Sequence, residues 1–330
     1  MASDKKSSLL YILNILRKYT DKTHMLTYAD IARKLREEYD SELERKTIAR
    51  NIEILTDNGF DIFKNGNNGV YLGTRDFEDG ELMFLTDAIY SSKAIPTKYA
   101  KDLVSKLTRN HSVYDKRRYV HLEKIDDNSR SNNKQLFYTI EKIEEAITNN
   151  KKIEFQYGTY SQDKKLKLRK DGKVYIINPY YMVNNHGKYY LVCNYDKYDT
   201  ISNYKIENIS NINILKEDLK PLKSLPGQEN FSIKDYIKEH IYMTTGESVV
   251  AKIKVANEDK ISDIVDWFGS DISIDKHQGQ LYVNLKVNED ALVYWAMQYG
   301  ESVEVVSPVS TRDKIKTVLN KMLEKYNNKQ

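Results

Sequence analysis

Between Lys151 and Ile209 the chain leaves room for no helix. It reads as IEFQY, a basic run, INPYYMV, GKYYLVCNYDK and ISNYKIENI, with Gly, Asn and Asp turn signals at short spacing. β-Branched and aromatic residues broken up in this way specify a small antiparallel barrel or curled sheet, and most other assignments in the chain depend on it. Ten of these 59 residues are Tyr, and eleven Lys or Arg stand against six Asp or Glu, a local charge of +5 in a chain whose total is +4. Tyr faces stack on planar groups while ammonium and guanidinium groups meet phosphate, so the composition suits an anionic, partly planar ligand. Tyrosines are also good strand formers, which explains the same composition without any ligand.

The remaining sequence divides around this block. A chain of 330 residues is long enough for two or three domains with their own cores. No apolar run approaches the roughly 18–20 residues of a membrane span, and the N-terminal MASDKKSSLL lacks a signal-peptide apolar core. The single cysteine, Cys193, precludes an intrachain disulfide and fits a reducing, cytoplasmic setting.

Leu9, Ile12, Leu13 and Leu16 recur at helical spacing. Thr27 with Asp30 forms a capping box ahead of Ile31, Ala32 and Leu35. A third helix from Glu44 to Asn58 carries Ile48, Ile52 and Leu55 on its core face and ends at Asn58-Gly59. The segment FDIFKNGNNGVYLG then predicts a hairpin. Three short helices closed by a β ribbon predict a winged helix-turn-helix, whose third helix enters the DNA major groove. On that helix Lys46 and Arg50 point away from the core, Thr47 and Asn51 lie on its flank, and Arg45 stands at its start. Arg can read guanine, Asn can read adenine, and Lys or Thr can hold phosphate. Lys64, Asn67 and Asn68 would be the wing's contacts. The nearly neutral first 73 residues, at +1, are equally compatible with an ordinary solvated helix face.

Helical periodicity returns over residues 78–110, with Leu82, Leu85 and Ile89 in one helix, Ala100, Leu103 and Leu107 in another, and a break at Pro96. Tyr114 to Lys134 is polar and turn-rich, a flexible boundary. Leu136, Ile140, Ile143 and Ile147 stripe a helix leading into the β block. Within that block, Lys164 to Lys173 holds six basic residues against one Asp, either a solvated hairpin tip or an anion-binding lip. After Pro221 and Pro226, read as a linker, the pattern is β-α-β-β-α-β, the ferredoxin-like order, with a closing helix on Ile315, Val318, Leu319 and Met322. Trp267 and Trp295 read as core or interface residues.

Several of these segments resemble the WYL-domain transcriptional regulators. Tyr189, Tyr190 and Leu191 stand at the family's Trp-Tyr-Leu signature, preceded by RKDGKVYIINPYYMV and followed by NYKIENI (Asn203 to Ile209). RKTIARNIEIL resembles the family's recognition helix, with Thr47 and Arg50 at its T-x-x-R spacing, while DWFG (Asp266 to Gly269) and the WAMQYG-to-SP stretch resemble its C-terminal extension. Three positions depart from the pattern: Tyr189 replaces Trp, Lys205 replaces Arg, and Asn208 replaces a second Arg. The resemblance implies a Sm/SH3-like barrel that senses nucleotides or nucleic-acid fragments within a homodimeric regulator.

The expected organisation is α+β and multidomain: a winged helix-turn-helix over 1–75, a helical connector over 76–134, the WYL domain over 135–220 and a ferredoxin-like, dimer-building extension over 245–330. Strand parity places Tyr190 and Lys205 on one outward face, with Tyr157 and Arg169 nearby and Asn203 and Asn208 completing the ligand set. The expected partners are an operator duplex, a nucleotide or oligonucleotide effector and a second copy. The histidines are scattered and no phosphate-binding loop or nucleophile elbow occurs, so neither metal, cofactor nor catalysis is expected. A nucleic-acid-processing enzyme or accessory factor using the same folds to hold substrate is the competing reading, and turnover of nucleotides would separate the two.

Overall fold

The computed structural model describes residues 7–73, 75–114, 134–163 and 165–327, and the side chain of Asn67 lies outside that description. The chain forms two compact units that divide between residues 132 and 133. Most of the polar boundary expected over 114–134 lies outside the described residues.

In the first unit, α1 (Ser8–Tyr19), α2 (Tyr28–Tyr39) and α3 (Arg45–Asp57) precede a ribbon of β1 (Ile62–Lys64) and β2 (Val70–Leu72). The Thr27–Asp30 capping box is present at the start of α2, satisfying donors that a helix start otherwise leaves unpaired. Ile12, Ile15 and Leu16 from α1 meet Ile31 and Leu35 from α2 and Ile48 and Ile52 from α3, all fully buried. Gly69 brings the ribbon against the α1–α2 loop: its φ is +110°, and a Cβ there would lie 2.4 Å from the Leu26 carbonyl oxygen. That approach permits the Leu26–Val70 bridge. Next come α4 (Asp79–Ser91) and α5 (Thr97–Leu107). Their buried face is Leu82, Thr86 and Tyr90 with Ala100 and Val104, rotated from the expected stripe, so Leu85, Ile89, Leu103 and Leu107 are half-buried. Arg75 ties this part to α1 by donating to the carbonyl of Arg17 at 2.9 Å and that of Asn110 at 2.8 Å.

The second unit starts with α6 (Leu136–Thr148), followed by β3 (Lys151–Tyr160), β4 (Leu166–Leu168), β5 (Val174–Asn185), β6 (Lys188–Tyr195), β7 (Ile201–Lys205) and β8 (Ile209–Asp218). The sheet order is β4-β3-β5-β6-β7, and β8 pairs back onto β3, so the sheet curls around its own apolar face. Ile153, Phe155, Ile177, Leu191, Cys193 and Ile206 are all fully buried.

The span beginning at Pro221 is not a free linker. Leu225 is fully buried, and Ile233–Glu239 forms α7, with Ser232 capping it through Asp235 N–H. The C-terminal part contains β9 (Ser248–Val255), α8 (Ile261–Phe268), β10 (Ser273–His277), β11 (Gln280–Asn288), α9 (Glu289–Gln298), β12 (Val303–Ser307) and α10 (Val309–Asn327). Its strand order is β10-β11-β9-β12. Trp295 is fully buried and packs edge-on against Phe268 at 5.0 Å between ring centroids. The second half of α10 differs from the expected core stripe. Val318 is half-buried, but Leu319, Met322, Leu323 and Tyr326 are exposed.

Candidate functional site

Two surfaces collect the residues singled out from sequence. On α3 the apolar positions Ile48, Ile52 and Leu55 face the core, so Arg45, Lys46, Thr47 and Arg50 are exposed. The Arg45 guanidinium lies 5.8 Å from the Tyr28 ring centroid. Lys64 and Asn68 of the ribbon are also exposed, and the backbone of Asn67 belongs to a short 3-10 turn. Asn51 lies on the flank of α3, as expected. It is half-buried and its Nδ2 donates to Ser8 Oγ at 3.2 Å, which fastens α3 to the start of α1.

The second surface is a cavity of about 480 Å³ between the curled sheet and the C-terminal part. Tyr190 and Lys205 are direct cross-strand partners on β6 and β7, on the common face that strand parity gives them. With Tyr157 and Asn203 they line this cavity. The expectation that Tyr190 looks outward is corrected: it is 9% exposed. Phe231, Ile233, Tyr236, Ile237 and Met243 pack over the face it shares with Val192, because the segment after Pro226 returns across the sheet. Tyr157 is also buried rather than outward. Its ring meets Tyr204 edge-on at 5.0 Å, while its hydroxyl accepts from Lys205 N–H at 3.2 Å and from Asn208 Nδ2 at 3.5 Å.

Asn208 therefore lies beneath the cavity, with its Oδ1 buried and without a hydrogen-bond partner among the described residues. Arg169 is exposed and does not line the cavity, although its guanidinium lies 6.0 Å from the Tyr157 ring centroid. Asn203 Nδ2 donates to the Tyr236 hydroxyl at 2.8 Å and to the Met243 carbonyl at 3.0 Å. The carbonyl can only accept, which fixes the amide orientation. Asn203 Oδ1 is then left buried and unpartnered among the described residues.

Sequence reasoning missed Asn185, His186 and Lys188 at the β5–β6 turn, and Ile241, Tyr242 and Trp267 from beyond the sheet. The turn was legible as NNHGK; its proximity to the far wall was not, because no local signal encodes a contact between segments so distant in sequence. Trp267 Nε1 donates to the Tyr299 hydroxyl at 2.9 Å, and its ring centre lies 4.7 Å from that of His186.

Electrostatically, Lys188 and Lys205 oppose the half-buried Glu207. Burial raises the Glu207 carboxyl pKa, and the two ammonium groups partly offset that rise. Burial likewise raises the Tyr157 and Tyr190 phenols, so both stay neutral hydrogen-bonding groups at physiological pH. Two cations, neutral phenols and an indole wall can hold an anionic group beside a flat ring. Among the described residues no group of His, Cys, Asp and Glu could hold a metal ion, and no helix is long and apolar enough to cross a membrane.

This sheet and the part that closes its cavity form a recognisable domain pair: residues 138–214 match the WYL domain and residues 247–323 match the WCX domain. The chain carries a WYL domain followed by a WCX domain, consistent with the WYL-domain regulator family. The solved structure of proteasome accessory factor B/C (PafBC) of Arthrobacter aurescens is similar at 14% identity, with 99% of this chain and 50% of that chain covered and a TM-score of 0.29. The chain thus spans about half the length of PafBC. A crystal structure of a CRISPR Cas-related protein aligns at 17% identity over 99% of this chain and 88% of that chain, with a TM-score of 0.38. At these scores neither alignment defines a shared arrangement of the parts. No curated protein matches the chain.

Proposed function

We propose that the chain is a ligand-responsive, DNA-binding transcriptional regulator that acts as a homodimer. The first unit is read as a winged helix-turn-helix, the curled sheet as a Sm/SH3-like sensor barrel and the C-terminal part as a ferredoxin-like module. The observation that carries the reading is the convergence of Tyr157, Tyr190, Asn203 and Lys205 on one cavity. That cavity is closed by Tyr242, Met243 and Trp267 from beyond the barrel, so an occupant touches both parts of the second unit and favours one of their arrangements over another.

The effector class is an anion with a planar group, a nucleotide or a short oligonucleotide. Lys188 and Lys205 would meet phosphate, while a phenol or indole face takes the base. The exposed Arg50, Lys46 and Thr47 on α3 supply the chemistry of a major-groove reader, and a small winged module gains a second half-site only through a second copy. A regulator leaves the effector chemically unchanged.

Footprinting on the DNA upstream of the protein's own gene, with and without mononucleotides and short oligonucleotides, tests this. A short near-palindromic protected duplex whose protection changes with effector supports it. Turnover of the nucleotide, or binding without sequence preference, contradicts it.

A further inference from the structure

Beyond the barrel cavity, the second unit contains a larger one of about 910 Å³, bounded by α9, α10 and the 243–245 segment. It falls within the size range of small-molecule sites, about 300–1,000 Å³. Its apolar residues are Met243, Val293, Met297 and Val318, with the exposed Tyr294 at the side. Two methionines give such a lining unusual adaptability, because an unbranched thioether fills irregular gaps at little cost.

The charged groups at this cavity are Asp290, Asp313 and Lys314. Lys314 is ion-paired with Glu289 and lies 3.6 Å from Asp290, so its charge is already met. Asp313 forms no ion pair among the described residues, and the cavity keeps a surplus of carboxylate. Asn203 lines this cavity as well as the smaller one.

We propose that this cavity is a second binding site, for a small apolar molecule bearing an ammonium group. The apolar body occupies the methionine and valine surface and the ammonium group meets Asp313 and Asp290. This is the opposite ligand chemistry from the barrel cavity.

The two sites share a wall. Met243 borders both, holds a left-handed backbone with φ of 53°, and is fixed by the Asn203 amide through its carbonyl. A left-handed methionine persists only where its surroundings hold it, so an occupant on either side acts on the same constrained residue. Binding at one site therefore alters affinity at the other by an equal factor in both directions. This linkage, unlike the second site itself, rests on the effector reading given above.

Dansylcadaverine, an apolar fluorophore with an ammonium tail, tests the proposal against dansylglycine, the same fluorophore with a carboxylate. The full chain is expected to bind dansylcadaverine saturably at one per chain, with a blue-shifted emission, and dansylglycine at least about tenfold more weakly. Thr317→Trp, at an exposed helix position that lines the cavity, intrudes on it and weakens binding. Asp313→Lys reverses the preference between the two probes, and Lys205→Ala leaves dansylcadaverine binding unchanged. Non-saturable binding, equal affinity for the two probes, or insensitivity to both Thr317→Trp and Asp313→Lys overturns the second site. Should saturating dansylcadaverine leave nucleotide affinity unaltered while a nucleotide does bind, the linkage is wrong. Should no nucleotide bind while dansylcadaverine behaves as expected, the effector reading fails and the second site stands.

Discussion

Removing one oxygen atom from Tyr157 separates its two roles. The ring fills the barrel against Tyr204 and Phe155, at 5.0 and 6.4 Å between centroids, and Tyr157→Phe keeps those contacts. The hydroxyl is the acceptor for Lys205 N–H at 3.2 Å and for the Asn208 amide at 3.5 Å, and the variant loses both. A buried donor left without an acceptor costs about 1–3 kcal/mol, and the 3.5 Å bond, at the long limit of geometry, adds little. We therefore expect a loss of about 1–2 kcal/mol, or roughly 2–8 °C in the melting temperature of a unit this size. Differential scanning calorimetry of the full chain reads it directly, with Tyr157→Leu as a comparator that loses ring packing as well and falls further. The variant should also bind a nucleotide effector more weakly, since the Lys205 backbone loses its anchor. If Tyr157→Phe melted with the parent, the hydroxyl would not be holding the end of β7, and the account of how the barrel presents Lys205 would be refuted.

Other perturbations give sharp outcomes. Arg50→Ala should weaken operator binding by about 1–3 kcal/mol and relax sequence preference at one base pair, while the melting curve stays unchanged because Arg50 is exposed. Asn51→Ala should instead lower stability by about 0.5–1.5 kcal/mol through loss of the Ser8 contact, read by urea unfolding. Hydrogen bonds from Thr23 and His24 outweigh burial and hold the Asp21 carboxyl at about 2, below its ordinary 3.8. Because the folded pKa is depressed, this stabilisation is complete above about pH 4 and lost as pH falls through the folded value. Allowing for solvent screening, Asp21→Asn should remove on the order of 1 kcal/mol of the difference in unfolding free energy between pH 5 and pH 2. Burial raises Glu207, so lowering pH neutralises it sooner than an ordinary Glu and should tighten anion binding. Calorimetry should show that trend, and Glu207→Gln should flatten it.

The parts of this architecture written in local signals were readable: the Thr27 cap, the Ile48–Ile52–Leu55 stripe, the Asn58-Gly59 stop and the alternating pattern that pairs Tyr190 with Lys205. What escaped was whatever depends on a second layer. Parity separates the two faces of a strand but does not say whether the second is covered, and here Phe231, Tyr236 and Met243 cover it. The helix over Ile233–Glu239 hid behind Pro221 and Pro226 because seven residues give too few turns for periodicity to register. On α10, regular spacing of Leu319 and Met322 was mistaken for burial. Periodicity reports a common face, not a partner.

The central claim is that occupancy of the barrel cavity controls DNA binding, and fluorescence anisotropy of a labelled operator duplex tests it most directly. The parent and Lys205→Ala are each titrated onto the duplex with and without a saturating nucleotide or short oligonucleotide. The account predicts equal affinities without effector, a shift of about tenfold or more for the parent with effector, corresponding to about 1.4 kcal/mol of coupling, and a much smaller shift for Lys205→Ala. Identical shifts in both proteins, or no shift in the parent with any nucleotide or oligonucleotide, would contradict it.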